Sequence, residues 1–193
     1  MKVLYFTNPD INDSNLIPSI IEKSGDIVQS ITARPDVNFV KKNNIDFIVS
    51  DRPRFIIKPD LINYMEKKII NLHPSFLPWN RGYNPNFWSI KENTPFGVTI
   101  HYIDQGIDTG NIIVQTQLSY NKSESLKSTY DRLRFFIVEL FKSSWPSIRI
   151  NKLPSFPQNK NEGTFHLKKD LDEHFEKLKD GWDTIISDIK CNK

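Results

Sequence analysis

The chain has 193 residues, of which 38% are hydrophobic and 25% are charged, and its formal net charge is +3. These values are typical of a soluble globular protein with one main core, and the charge is too slight for a nucleic-acid-binding protein. No segment approaches the roughly 18 consecutive apolar residues that a membrane span needs, and the apolar run near the start is too short for a signal peptide. We therefore expect a cytoplasmic protein that contacts neither nucleic acid nor a membrane. The single cysteine, Cys191, agrees with a reducing compartment, and its place near the end of the chain argues against a catalytic role.

Strand and helix patterns alternate through the first half of the chain. Apolar runs predict strands at 2–7, 26–31, 45–50 and 68–72. Apolar side chains at helical spacing predict a helix from residue 16 that is capped by Asp13 or Ser14 and stopped by Gly25, and further helices follow at 37–42 and 59–65. Strict alternation of this kind predicts an α/β protein with a mostly parallel twisted sheet and helices on both faces.

The second half begins with two matching strands, at 96–103 and 111–118, joined by the loop Asp104–Gly110. In the first of them Phe96, Val98, Ile100 and Tyr102 share one face, opposite Thr99 and His101. A long helix capped near Ser123 follows, and the spacing of its apolar residues indicates core packing.

Prolines at 146, 154 and 157 mark a boundary, so we divide the chain into a main domain at 1–150 and a C-terminal extension at 151–193. The extension carries an amphipathic helix at 169–179, stopped by Gly181, and then apolar residues that include Trp182 and Ile185. It is too small to fold alone, so we expect a short helical tail that docks on the main domain or forms the contact of a homodimer.

Three residues supply groups that can pass an acyl group to an amine. Asn71 and His73 lie at the carboxyl end of a predicted strand, where ligands of parallel sheets bind, and Asp108 lies on a glycine-bounded loop. An amide can donate to an oxyanion, an imidazole can exchange protons near neutral pH, and a carboxylate can orient the imidazole. The same residue types are also common turn formers and structural hydrogen-bond partners, so their spacing alone leaves a structural role open. The four histidines show no metal-ligand spacing, and we expect no metal.

Ordered motifs around these residues resemble those of the folate-dependent formyltransferases. They are Asn71-Leu72-His73-Pro74-Ser75-Phe76-Leu77-Pro78, then Arg81-Gly82 with Pro85, Gly97-Val98-Thr99-Ile100-His101, and Asp104 to Gly110. The resemblance implies a Rossmann-like fold, 10-formyltetrahydrofolate as formyl donor, and catalytic roles for Asn71, His73 and Asp108. It also implies that two segments bind the donor, with the residues Arg54, Phe55, Ile56, Ile57 and Lys58 in the first and Asp104, Gly106, Ile107 and Asp108 in the second.

The acceptor implied by the resemblance is a small-molecule amine. The chain leaves no room for the barrel domain of the tRNA-directed members. The loop Asn8–Asp13 has two acids and no glycine, unlike the phosphate-binding loop of the purine-pathway members. The insert at 79–89 is most similar to members that formylate nucleoside-diphosphate-linked amino sugars. Its candidate acceptor-binding residues are Trp79 and Tyr83 for stacking, Arg81 for a pyrophosphate, and Asn84.

Other functions stay open at this point. They are a phosphoribosylglycinamide formyltransferase-like activity, hydrolysis of 10-formyltetrahydrofolate, and an inactive module that only binds folate or a nucleotide. Arg52 and Arg54, in a loop beside the candidate site, are further candidates for an anionic ligand.

Overall fold

The computed structural model describes residues 1–8, 15–159 and 161–189. The predicted helix cap at Asp13 or Ser14, nearly all of the loop Asn8–Asp13, and Cys191 lie outside the described residues. The strands are β1 (Lys2–Thr7), β2 (Ile27–Ile31), β3 (Phe47–Asp51), β4 (Ile69–His73), β5 (Arg81–Gly82), β6 (Phe96–Tyr102), β7 (Ile112–Leu118) and β8 (Phe165–His166). The helices are α1 (Leu16–Lys23), α2 (Val37–Lys42), α3 (Pro59–Met65), α4 (Pro85–Lys91), α5 (Leu126–Ile148) and α6 (Lys168–Phe175).

A central sheet has the strand order β2-β1-β3-β4-β6-β7. The first four of these strands run parallel, and β6 and β7 are antiparallel to their neighbours. The predicted α/β fold with a mostly parallel sheet is therefore confirmed. Predicted and observed strand ends differ by a residue or two, whereas the tail helix ends at Phe175, short of the predicted 179.

Alternate residues of the central strands pack against opposite layers of helices. Val3 and Tyr5 of β1 join a cluster with α1 and α5, which contributes Phe141 and Trp145. Leu4 and Phe6 point to the other side, where the buried residues of α2 and α3 cover them. Helices therefore cover both faces, as predicted, since a strand turns successive side chains to opposite faces.

Helix α5 differs in detail from its prediction. Its cap is Ser125, whose side chain accepts from the backbone N–H of Ser128, and not Ser123. The helix also runs past Pro146 and ends at Ile148, so the hydrogen bond that this proline cannot donate is lost in the last turn. Tyr130, assigned from its spacing to the core stripe, is only partly buried and faces a cleft that is described below.

The C-terminal extension docks on the main domain. Leu171, Ile186 and Ile189 are buried in a cluster with α4 and the start of α5. Trp182 and Ile185, by contrast, keep 38% and 37% of their surface exposed. The short strand β8 pairs in parallel with β5, so the extension also holds the insert that follows the His73 motif. Within the described part of the chain, no helix has the length and apolar character needed to cross a membrane.

Candidate active site

The three candidate catalytic residues meet at one edge of the sheet. Asn71 and His73 lie in β4, next to the antiparallel strand β6. Asp108 lies on the loop between β6 and β7, and this loop folds back so that the carboxylate reaches both side chains. The side chains of Asn71 and His73 share the face opposite Ile70 and Leu72, which belong to the core.

His73 is buried, and its two ring nitrogens face different partners. Nε2 lies 3.4 Å from the carbonyl oxygen of Asn80, and Nδ1 lies 3.7 Å from Oδ2 of Asp108. Because a carbonyl can only accept, the first contact places a hydrogen on Nε2 and turns Nδ1 to the carboxylate. Burial lowers the pKa of His73, and the charge of Asp108 offsets this only in part, so the ring is neutral at pH 7.

Asp108 is held in the left-handed backbone region, with φ of 53°. Its Oδ1 accepts from the amide nitrogen of Asn71 at 3.2 Å, and its Oδ2 accepts from the backbone N–H of Gly82 at 2.9 Å. Burial alone would raise the pKa of this carboxyl group. The positive charge that His73 carries when it is protonated, the interaction with His101 and the N–H of Gly82 outweigh burial, so the pKa of Asp108 lies well below its usual range and the carboxylate stays ionised.

His101 completes the cluster and was not among the predicted site residues. Its Nδ1 donates to the carbonyl of Tyr102 at 2.8 Å, so in the neutral ring Nε2 accepts from the amide nitrogen of Asn71 at 3.3 Å. Because His101 and Asp108 both accept here, the nitrogen end of the Asn71 amide faces them. The alternation of β6 had placed His101 on the face away from the core, but its position opposite Asn71 depends on the antiparallel register.

A cleft of about 940 Å³ opens in front of Asn71, His73 and Asp108. Nearly all the predicted donor-binding residues line it, namely Arg54, Phe55, Ile56, Ile57, Asp104, Gly106, Ile107 and Asp108, and Lys58 is not among the lining residues. Ile56 and Ile107 are 71% and 42% exposed, so the mouth presents apolar surface. A larger cavity, of about 1260 Å³, shares Ile103, Asp104 and Gln105 with the lining of this cleft and includes none of the three candidate catalytic residues.

The predicted acceptor-binding residues divide into two groups. Tyr83 and Asn84 line the cleft, whereas Trp79 and Arg81 are not among the lining residues. The guanidinium of Arg81 instead contacts the carbonyl of Thr164 at 3.5 Å. The pattern had not assigned two further lining residues, Tyr130 and Lys168, to the site.

Arg52 also lines the cleft, and two of its hydrogen bonds link it to Tyr130 and to the buried pair of Asp51 and Arg134. Its side chain donates to the hydroxyl of Tyr130 and to the carboxylate of Asp51, each at 3.0 Å. Asp51 is also bound through both oxygens by Arg134, at 2.9 Å each. The described residues contain no cluster of three or more histidine, cysteine, aspartate or glutamate side chains that could hold a metal ion.

Comparisons with known proteins agree with this arrangement. A family model described as formyl transferase matches residues 23–143. The chain is 36% identical over 106 residues to a dTDP-4-amino-4,6-dideoxyglucose formyltransferase of Mycobacterium tuberculosis, an alignment that covers 55% of this chain and 45% of that protein. It is 34% identical over 123 residues to the methionyl-tRNA formyltransferase of Staphylococcus epidermidis, covering 62% of this chain and 39% of that protein. The chain thus spans less than half the length of these curated relatives.

One solved structure extends the comparison to nearly the whole chain. The formyltransferase PseJ from Anoxybacillus kamchatkensis, in complex with UDP-4,6-dideoxy-4-formamido-L-AltNAc and tetrahydrofolate, superposes with a TM-score of 0.91 at 40% identity, covering 98% of both chains. The phosphoribosylglycinamide formyltransferase from Bacillus halodurans superposes with a TM-score of 0.65 at 23% identity, covering 77% of this chain and 95% of that chain. The second likeness shows a shared fold only.

Proposed function

Because the chain belongs to the formyl transferase family, we propose that it moves a formyl group from 10-formyltetrahydrofolate to the amine of a nucleoside-diphosphate-linked amino sugar. The observation that carries the proposal is the match along 98% of both chains with a formyltransferase that binds a UDP-linked formamido sugar and tetrahydrofolate. The cluster of Asn71, His73 and Asp108 supplies the chemical groups that such a transfer uses.

The proposed roles of the three residues follow from their contacts. The transfer forms a C–N bond to the acceptor amine and breaks the formyl C–N bond of the folate, and one proton passes from the amine to the folate nitrogen. Asn71 directs its two N–H groups at His101 and Asp108 in the ligand-free protein; when substrates bind, it turns the first of them to the carbonyl oxygen and stabilises the charge that this oxygen gains. His73, neutral at pH 7, accepts the proton at Nδ1 and returns it. Asp108 stays ionised and stabilises the protonated ring.

The donor site is proposed between two segments that line the cleft, residues 54–57 and the loop of Asp104 to Asp108. Exposed Ile56 and Ile107 offer flat apolar contact to a ring system, and backbone groups along both segments can bond its polar edge. The 10-formyltetrahydrofolate bound there would supply an activated formyl group. Binding of 5-formyltetrahydrofolate, a stable analogue, should raise the melting temperature, and Ile56→Asp should abolish that rise.

The acceptor site is proposed in the same cleft, around the lining residues Tyr83 and Asn84. Cationic side chains that line the same cleft are Arg52, Arg54 and Lys168, and they favour a ligand that carries phosphate groups. Stacking by Trp79 and pyrophosphate binding by Arg81 remain predictions.

Variants of Lys168 and Arg81 test which of these two side chains binds the phosphate groups of the acceptor. Lys168→Ala should raise the KM of the nucleotide-linked acceptor. Arg81→Lys should do the same only if its guanidinium leaves the carbonyl of Thr164 when the ligand binds.

Two further proposals concern the whole molecule. A homodimer that uses the exposed apolar residues Trp182 and Ile185 remains a prediction, which light scattering of the parent and of a Trp182→Glu variant would check. A cytoplasmic location also remains a prediction.

One assay separates the proposed function from its alternatives. The protein is incubated with 10-formyltetrahydrofolate and, in parallel, a UDP-linked 4-amino-4,6-dideoxy sugar, dTDP-4-amino-4,6-dideoxyglucose, glycinamide ribonucleotide, or no acceptor. We expect tetrahydrofolate to form fastest with a nucleotide-linked sugar, together with a product heavier by one carbonyl group. Faster turnover of glycinamide ribonucleotide would favour the purine-pathway reaction. Formate release without an acceptor would indicate a hydrolase, and folate binding without turnover would indicate a binding module.

A further inference from the structure

The C-terminal extension reaches the loop that carries the catalytic carboxylate. The side-chain nitrogen of Gln158 donates to the carbonyl oxygen of Asp108 at 2.9 Å and to that of Gly110 at 2.8 Å. Two residues earlier, Phe156 exchanges both backbone hydrogen bonds with Ile112 at the start of β7, at 2.8 and 2.9 Å. Gln158 is therefore anchored on the edge of the main sheet, and both of its amide hydrogens are used on the loop.

This loop needs such support because of its backbone conformation. Asp108 has a positive φ of 53°, which is unfavourable for a residue with a Cβ, and that conformation turns its carboxylate to His73. The first half of the loop is held from within, since Asp104 accepts hydrogen bonds from Gly106 and Thr109. The backbone carbonyls of Asp108 and Gly110, in the second half, are held instead from outside the loop by the extension.

We propose that Gln158 is a positioning residue for the reaction: its two hydrogen bonds fix the main chain at Asp108 and Gly110 and so aim the Asp108 carboxylate at His73. Gln158 is not among the residues that line the cleft, and it lies outside residues 23–143, which match the family model. The extension would thus contribute to catalysis without touching either substrate. The inference rests on the catalytic role proposed for Asp108.

Two variants of Gln158 test the contact. Gln158→Met keeps the length of the side chain and removes both hydrogens, and Gln158→Asn keeps the amide but is too short to reach both carbonyls. The matched control is Gln117→Met, the same exchange at an exposed position on β7. We expect kcat to fall by between about tenfold and a hundredfold in the first variant, with both KM values nearly unchanged, because small misplacements of a reacting group cost this much. The control should keep parent values.

A second readout does not depend on turnover. The imidazole of His73 is titrated by NMR in the ligand-free parent and in both variants. The charge of Asp108 raises the pKa of His73, while burial and His101 lower it. If the carboxylate is less firmly held, the pKa of His73 should fall further in Gln158→Met and less so in Gln158→Asn. Gln117→Met should titrate like the parent.

The two readouts distinguish failure of the inference from failure of the proposed function. A parent that transfers formyl to no acceptor would refute the proposed function, and the titration would still report on Gln158. An active parent whose Gln158→Met variant keeps both its kcat and its His73 titration would overturn the inference. A variant with lower melting temperature but unchanged kcat and titration would show that the contact is structural only.

Discussion

Replacing Gly82 by alanine should lower both the stability of the protein and the rate of formyl transfer. Gly82 has a φ of +90°, and an added Cβ would lie 2.3 Å from the carbonyl oxygen of His166 and 3.0 Å from the ring of Phe165. Both belong to β8, so β5 would have to move away from the extension. The same residue donates its N–H to Oδ2 of Asp108 at 2.9 Å. The displacement would therefore lengthen a bond to the candidate catalytic carboxylate.

The expected size of the effect has two parts. A residue with a Cβ costs about 1–2 kcal/mol in the left-handed region, before the clash with β8 is added. A hydrogen bond to a charged group contributes about 1.5–3 kcal/mol, and each 1.4 kcal/mol corresponds to about a tenfold change in rate. Gly82→Ala should therefore lower the free energy of unfolding by at least about 1 kcal/mol and kcat/KM by roughly tenfold to a hundredfold.

Gly25→Ala is the matched control. Gly25 also has a positive φ, of +82°, but an added Cβ there would meet no atom within 4 Å. It should lose about 1–2 kcal/mol of stability and keep its kcat/KM. Urea unfolding and steady-state kinetics of both variants make the comparison. A Gly82→Ala protein with parent kcat/KM would refute the claim that this N–H positions the carboxylate.

The remaining predictions concern catalysis, the acceptor and acid stability. His73→Ala and Asp108→Ala should each lose at least about a hundredfold in kcat, and near-parent turnover in either would remove that residue from the mechanism. Asp108→Ala should also lower the melting temperature, because the ionised carboxylate accepts hydrogen bonds from Asn71 and Gly82. Lys168→Ala should raise the KM of a diphosphate-linked acceptor more than that of its unphosphorylated sugar, and equal changes would argue against phosphate binding. Although burial opposes it, hydrogen bonds from Arg149 and the terminal ammonium lower the pKa of Asp26. Its ionised form therefore stabilises the fold above the unfolded pKa of about 3.9. The loss of unfolding free energy in Asp26→Asn at pH 7 should shrink as the pH falls below about 4. A difference in unfolding free energy between parent and variant that stays constant with pH would contradict this.

Local patterns were enough to predict the main sheet and to mark three residues as candidates, whereas the catalytic roles expected of them came from the resemblance of the surrounding motifs. Asn71 and His73 close an apolar strand, and Asp108 sits between glycines, so each signal lies within a few neighbouring residues. The alternation of side chains predicted for β6 also placed His101 on the face opposite its apolar residues. Its contact with Asn71 depends on pairing between strands that are distant in sequence, and no local pattern encodes that register.

Contacts made by the C-terminal extension were beyond the reach of such patterns. The motif placed Arg81 beside the predicted site, but β8 pairs with β5 and the Arg81 side chain contacts Thr164. Lys168 and Gln158 lie in the extension, and they reach the cleft and the loop of Asp108 only after the chain has folded back. The roles proposed for them rest on tertiary contacts, which side-chain spacing along the chain does not determine.

The most direct test of the central claim is formyl transfer by the purified protein to a UDP-linked 4-amino-4,6-dideoxy sugar, followed by mass spectrometry of the sugar and absorbance of the folate. The account predicts one formamide formed for each tetrahydrofolate released by the parent protein, and at least about a hundredfold slower formation by Asp108→Ala. Release of tetrahydrofolate without any formylated sugar, or equal rates in parent and variant, would contradict it.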